Sequence, residues 1–307
     1  MGQTLKGQNV RLLQYDATAE KYRCIEMATN LTVNLSANTE QAETKDDVGG
    51  AQKPTVTSKS AQISIETNNV TNAAGLLAAI KSMQPMLLLW DEVSTTDNQT
   101  PLKAGFARKC SAYLNDLSLT LNDRETCKAS LQFQVSGAIE KLTSTPAYEV
   151  YTPSTDLTKG QFVRLFLGSD NTATPAAVLA ASKSLTVHVS VQLEDATTKD
   201  TDGGDWQVQE PTGISFDISA NALVRSGDTI TSQVAGQAFA DIQDIYEASN
   251  PVKFQVANVS GANQRTKGSV IMEGSVVISA LNMNAGNRQN ATYDATLTGY
   301  GDYTVGA

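Results

Sequence analysis

Lys6-Gly7-Gln8-Asn9-Val10-Arg11-Leu12-Leu13 returns later in the chain as Lys159-Gly160-Gln161-Phe162-Val163-Arg164-Leu165-Phe166, with six of eight residues identical. A second echo keeps the same order. Thr44-Lys45-Asp46-Asp47-Val48-Gly49-Gly50 returns as Thr198-Lys199-Asp200-Thr201-Asp202-Gly203-Gly204, so the two offsets are 153 and 154 residues. That period is a whole domain, not a solenoid unit of roughly 20–50 residues. The 307 residues therefore divide into a first domain (1–142), a Pro/Ser/Thr-rich linker (143–158) and a second domain (159–307). Each copy has the length to close a core of its own.

Outward from the repeat, alternating strands dominate. Leu31-Thr32-Val33-Asn34-Leu35-Ser36 alternates apolar and polar residues with period two, and Leu185-Thr186-Val187-His188-Val189-Ser190 is its echo; both read as strands with one buried face. Long polar stretches follow, Ala37 to Lys59 and Gln192 to Thr212, read as loops with turns at Gly49-Gly50 and Gly203-Gly204. Alternation resumes at Ile63–Glu66 and Ser215–Ile218. A helix comes next in each copy. Asn72 is the expected cap and Leu76, Leu77, Ile80 and Met83 form the apolar stripe of the first, ended by Pro85; Phe239, Ile242, Ile245 and Tyr246 form that of the second, ended by Asn250-Pro251. Met86–Trp90 and Val252–Val256 are buried strands, and two alternating strands finish each copy, at Leu114–Leu121 and Leu131–Val135, then Val276–Met283 and Thr292–Thr298. Arg225 to Gly236 is an insertion between strand and helix. The fold class is mainly β with one short helix per domain.

Hydrophobic residues make up 40% and charged residues 18%, a globular balance. No apolar run nears the ~18 residues of a membrane span, and Met1–Lys6 lacks the apolar stretch of a secretory signal. Cys24, Cys110 and Cys127 have no counterparts in the second copy, which points to free thiols, not a disulfide intrinsic to the domain. A net charge of −9 and a pI near 4.7 disfavour gripping nucleic acid through its phosphates.

Catalytic and metal motifs fail in turn. His188 is the only histidine and no local nucleophile or carboxylate accompanies it. There is no Gly-x-Ser-x-Gly elbow and no phosphate-binding loop. Asp200-Thr201-Asp202-Gly203-Gly204-Asp205 looks calcium-like but lacks a closing Glu and flanking helices. The cysteines lack zinc-ligand spacing. The expectation is a chain with no enzymatic site, no cofactor and no metal.

The order of elements resembles the major tail-tube proteins of long-tailed, siphovirus-like bacteriophages. The likeness rests on the Gly7–Leu13 strand, the Leu31–Ser36 strand, the polar hairpin with its Thr-Lys-Asp-x-x-Gly-Gly turn, the return strand, the helix and the two final strands, found twice. The resemblance implies two tandem tail-tube-type β-sandwich or barrel domains in a virion structural protein. Such domains form six-membered rings whose inner strands join as one β-barrel lumen, and a duplicated chain implies trimers with pseudo-sixfold symmetry. It also implies stacking of rings through the long hairpin loops, here Glu40, Glu43, Lys45, Asp46, Asp47, Gly49 and Gly50 in the first, and Asp195, Lys199, Asp200, Asp202, Gly203, Gly204 and Trp206 in the second. The expected partners are further copies of the chain, a tape measure protein, a tail terminator, baseplate proteins, and double-stranded DNA passing during ejection without specific binding; no membrane is involved. The expected location is the virion tail, assembled in the bacterial host cytoplasm.

Alternation then assigns the lumen face. Its members are Thr32, Asn34, Ser64, Glu66, Ser118, Thr120, Gln132 and Gln134 in the first copy, and Thr186, His188, Asp217, Asn282, Asp294 and Thr296 in the second. None is Lys or Arg, as suits a channel that must not hold a polyanion. Two other readings compete: a tube of a contractile injection or type VI secretion apparatus, for which duplication is unusual, and a receptor- or carbohydrate-binding β-sandwich, which the 6% aromatic content does not favour.

Overall fold

The computed structural model describes residues 5–41, 53–68, 70, 73–152, 157–179, 181–198, 204–224, 236–260 and 266–306. In the first half the strands are β1 (Val10–Asp16), β2 (Lys21–Cys24), β3 (Ala28–Gln41), β4 (Pro54–Thr67), β5 (Met86–Glu92), β6 (Arg108–Thr120), β7 (Lys128–Val135) and β8 (Glu140–Lys141), with helix α1 (Ala73–Ser82) between β4 and β5. The second half has β9 (Val163–Leu167), β10 (Ala177–Leu179), β11 (Ser182–Asp195), β12 (Gln209–Leu223), β13 (Gly236–Gln237), α2 (Phe239–Ala248), β14 (Val252–Ser260), β15 (Thr266–Asn284), β16 (Thr292–Gly299) and β17 (Thr304–Val305). A fold that is mainly β with two short helices is what the alternation requires.

The pairing repeats strand for strand. β2–β1–β5–β6 and β6–β7–β4–β3 are the two sheets of the first half. β10–β9–β14–β15 and β15–β16–β12–β11 are those of the second. β6 and β15 each serve both sheets, and each carries a register shift where it passes from one to the other, at Leu114/Asp116 and Ile278/Ala280; a bulge bends a strand at such a corner. β8 and β17 pair back on β6 and β15. Smaller details recur too. Met83 and Ser249 end the two helices with φ of 50° and 53°, and Arg124 and Arg288 hold the last hairpin turns at 61° and 60°.

Three sequence expectations change. The polar stretches after Leu31–Ser36 and Leu185–Ser190 are largely strand: β3 and β4 pair from Ala28↔Thr67 out to Gln41↔Pro54, and β11 and β12 out to Asp195↔Gln209. Both faces of those outer segments meet solvent, so no apolar alternation marks them. The polar stretch Asp16 to Arg23, which reads from the sequence as a loop, runs into β2, which folds back on β1. The linker is pinned to the first half, with Tyr22 N donating to Ala147 O at 2.9 Å and Gln99 Nε2 to Tyr151 O at 2.8 Å. Asn72 and residues 225–235 of the insertion lie outside the described residues.

The halves meet edge to edge. β11 pairs antiparallel with β6, Thr186↔Thr120, Val187↔Leu119, His188↔Ser118, Val189↔Leu117 and Ser190↔Asp116. One apolar cluster runs through the seam, from Ile63, Leu117 and Phe133 to Val187, Phe216 and Phe254. Each half thus completes its core against the other instead of closing it alone. No helix among the described residues is long and apolar enough to cross a membrane.

Candidate assembly surfaces and polar sheet face

Strand pairing places the polar residues of β3, β4, β7, β6, β11, β12, β16 and β15 on one face. A row runs Asn30, Glu66, Ser130, Ser118, His188, Asp217, Thr298 from strand to strand. Beside it lie Thr32, Ser64, Gln132, Asp116, Ser190 and Ser215, then Asn34, Gln62 and Gln134. On the other flank are Lys128, Thr120, Thr186, Ser219 and Thr296, followed by Asn221, Asp294 and Asn282. All fourteen residues read from the sequence as one polar face share it, because period-two alternation and register leave no other arrangement. Lys128 stands at its rim, a cation that the strand pattern alone did not include; Glu66, Asp116, Asp217 and Asp294 outweigh it.

His188 crosses the seam between the halves. Its Nδ1 lies 2.9 Å from Asp217 Oδ1 and its Nε2 2.8 Å from Asp116 Oδ2. Partial burial pulls the imidazole pKa down, but the hydrogen bonds to Asp116 and Asp217 and their negative charges outweigh it, so the pKa is raised. Both ring nitrogens are occupied by carboxylates, which leaves neither to take a proton from a hydroxyl nucleophile. Asp116 comes from 72 residues away, so no local motif could reveal it.

Of the residues expected at the ring-stacking loops, Glu40 ends up in β3 and Asp195 in β11, and Gly204 has a positive φ of 64°. Trp206 packs its side chain against the shared apolar cluster. It forms a parallel bridge with Lys59 of β4, while Lys59 N donates to Asp205 O and Lys59 Nζ sits 2.9 Å from Asp205 Oδ2. The base of the second loop therefore leans on the first half of its own chain. Glu43, Lys45, Asp46, Asp47, Gly49, Gly50, Lys199, Asp200, Asp202 and Gly203 lie outside the described residues.

The three cysteines are buried and free. Burial raises the thiol pKa to about 11 at Cys24, about 12 at Cys110 and about 11 at Cys127, which leaves them unreactive. Among the described residues, no three His, Cys, Asp or Glu side chains converge as a metal site.

Two strand edges end the sheet. β3 pairs only with β4, and Ala280–Asn284 of β15 pair only with β16, among the described residues. Leu35 on β3 is 63% exposed and Met283 on β15 57%. Such edges call for a partner.

Residues 160–305 match the family model for the phage tail tube protein. No curated protein matches the chain. Among solved structures, the chain is similar to the tail of an empty gene transfer agent particle with C6 symmetry, at 16% identity and a TM-score of 0.37, over 49% of this chain and 99% of that one. It is similar to a chain of the native gene transfer agent virion at 18% identity and a TM-score of 0.35, over 49% and 99%. The SPP1 tail tube matches at 18% identity and a TM-score of 0.35, over 48% and 78%. The resemblance to tail-tube proteins drawn from the sequence is borne out by the family match.

Proposed function

We propose that this chain is the structural subunit of a siphovirus-like tail tube, in which three copies close a pseudo-hexameric ring and rings stack into a channel for DNA ejection. In this reading the chain is two tandem tail-tube domains and not an enzyme. The observation that carries the reading is the seam β6–β11. Two topologically equivalent halves already join edge to edge, and the next edges, β3 and β15, are left to continue the same pattern. A head-to-tail contact of that kind is heterologous and closes as a ring when its rotation divides the circle.

The polar face supports the same reading. It runs unbroken across the seam, carries Ser, Thr, Asn and Gln with an excess of carboxylates, and fits a lumen that repels DNA phosphates. The apolar opposite face is already covered by the second sheets and helices, so the polar face is the one free to line a channel. A tape measure protein would fill that channel before DNA, and terminator and baseplate proteins would cap its ends in the virion tail after assembly in the host cytoplasm.

Ring stacking is assigned to the tips of the β3–β4 and β11–β12 hairpins. Purified protein viewed by negative-stain microscopy is expected to form rings or tubes. A variant lacking Asp46–Gly50 is expected to keep folded rings or protomers and lose tubes. Tubes of normal length from that variant would contradict the stacking role, and a persistent monomer from the intact chain at high concentration would contradict the tube itself.

A further inference from the structure

Resting on that reading, we infer that the contact between chains is a residue-for-residue copy of the seam within the chain, formed by β3, Gly7 and β15 together with α2 as a strut onto the neighbour. Three independent observations carry it, each a feature satisfied inside the chain whose counterpart is left open.

The first is the strand edge. Register makes Leu35 the counterpart of Val189, and Met283 that of Leu119. Val189 and Leu119 are 0% and 1% exposed inside the seam, whereas Leu35 and Met283 face solvent. Transferring the β11–β6 register gives Thr32↔Asn284, Val33↔Met283, Asn34↔Asn282 and Leu35↔Leu281 between neighbouring chains. Burial of these side chains in the copied seam removes apolar area from water at two exposed edges at once.

The second is a glycine. Gly160 packs against the β6–β7 turn, donating its N–H to Glu125 O at 3.0 Å, and an added Cβ would lie 2.1 Å from Asn122 O. Its repeat partner Gly7 has nothing within 4 Å of such a Cβ. Among the described residues of one chain, nothing requires glycine there. A neighbour's β15–β16 turn, where Gly286 stands in the place of Asn122, does.

The third is the helix. α1 packs on β6 of its own half and reaches across to the second: Tyr303 Oη donates to Leu77 O at 3.0 Å, and Lys81 Nζ lies 3.0 Å from Asp302 Oδ2. Counting back from Pro85 and Pro251, Tyr246 matches Ile80 and Glu247 matches Lys81. Ile80 is 0% exposed and Tyr246 42%. The charges are exchanged at this corner. Lys81 meets Asp302 of the second half, whereas the equivalent corner of the first half carries Arg108, Lys109 and Lys141 with Glu140, which pairs with Lys109 at 2.7 Å; that corner keeps a positive excess, which Glu247 of a neighbour's α2 complements.

The test uses the full chain. Asn34→Cys combined with Asn282→Cys should, with a short bis-maleimide crosslinker that adds one thiol at each end, give a covalent closed trimer. The single variants should give none, and Ser118→Cys with His188→Cys, the same pair inside one chain, serves as the positive control. Separately, Gly7→Val should keep the monomer's thermal midpoint while lowering ring formation by about tenfold or more, and Glu247→Arg should weaken rings in a salt-dependent way. Rings that form normally with Gly7→Val, or that crosslink through Asn30→Cys with Asn282→Cys instead, would overturn this seam while leaving the tube reading intact. Failure of the unaltered chain to form any ring would remove the tube reading itself.

Discussion

His188 joins the two halves of the chain through one side chain, held by Asp217 on its own half and Asp116 on the other. Its protonated form donates to both Asp116 and Asp217, so its folded pKa lies above the ordinary 6.5. A raised folded pKa means that the stabilisation is complete below the unfolded value and disappears as pH rises through the folded value. His188→Gln is therefore expected to lower the thermal midpoint most at about pH 5.5 and least at about pH 9; a deficit that grows with pH would contradict this. The sequence placed His188 on the polar face, at the repeat position equivalent to Asn34, because alternation is local. It could not show Asp116 or the rim cation Lys128, because those neighbours are set by strand register across distant segments.

At the scale of elements, α1 is the clearest case of tertiary packing deciding what a local pattern means. Its stripe was legible: Leu76, Leu77 and Ile80 recur at helical spacing. Which half they bury against was not legible: Leu77 and Ile80 join the apolar cluster shared by both halves, with α1 packed on β6 of its own half and tied to the second by Tyr303. Ile80→Ala should therefore cost about 2–5 kcal/mol, and it should loosen the seam as well as the first half. Hydrogen exchange of the β6–β11 amides checks this; protection unchanged in that variant would argue that α1 does not brace the seam. The hairpins teach the converse. Ile63–Glu66 announced β4 because one face is buried, but Pro54–Lys59 did not, because paired backbone with two wet faces needs no apolar period. Trp206 is the one aromatic residue of the two loop stretches; its side chain packs against the shared apolar cluster, while its backbone bridges to Lys59.

For the whole molecule, the echo of Lys6–Leu13 in Lys159–Phe166 corresponds to a repeated topology in which each strand pairing of the first half recurs in the second. The repeat made that architecture legible, together with the polar face. What it left hidden is that the two copies are not separate bodies: a shared apolar cluster and the β6–β11 ladder make the second copy the neighbour that the first requires. Residues 160–305 carry the tail-tube family match, and the described residues of the first half repeat the strand pairing of that half. In the proposed ring, differences between the copies become differences between its two seams: His188 with its two carboxylates belongs to the seam inside the chain, and Asn34 to the proposed seam between chains.

End-on cryo-electron microscopy of rings assembled from the purified chain tests this most directly. The account predicts three chains per ring, six lobes around the lumen and density continuous from β15 of one chain into β3 of the next. Rings of six chains, or chains that meet through any surface other than those two edges, would contradict it.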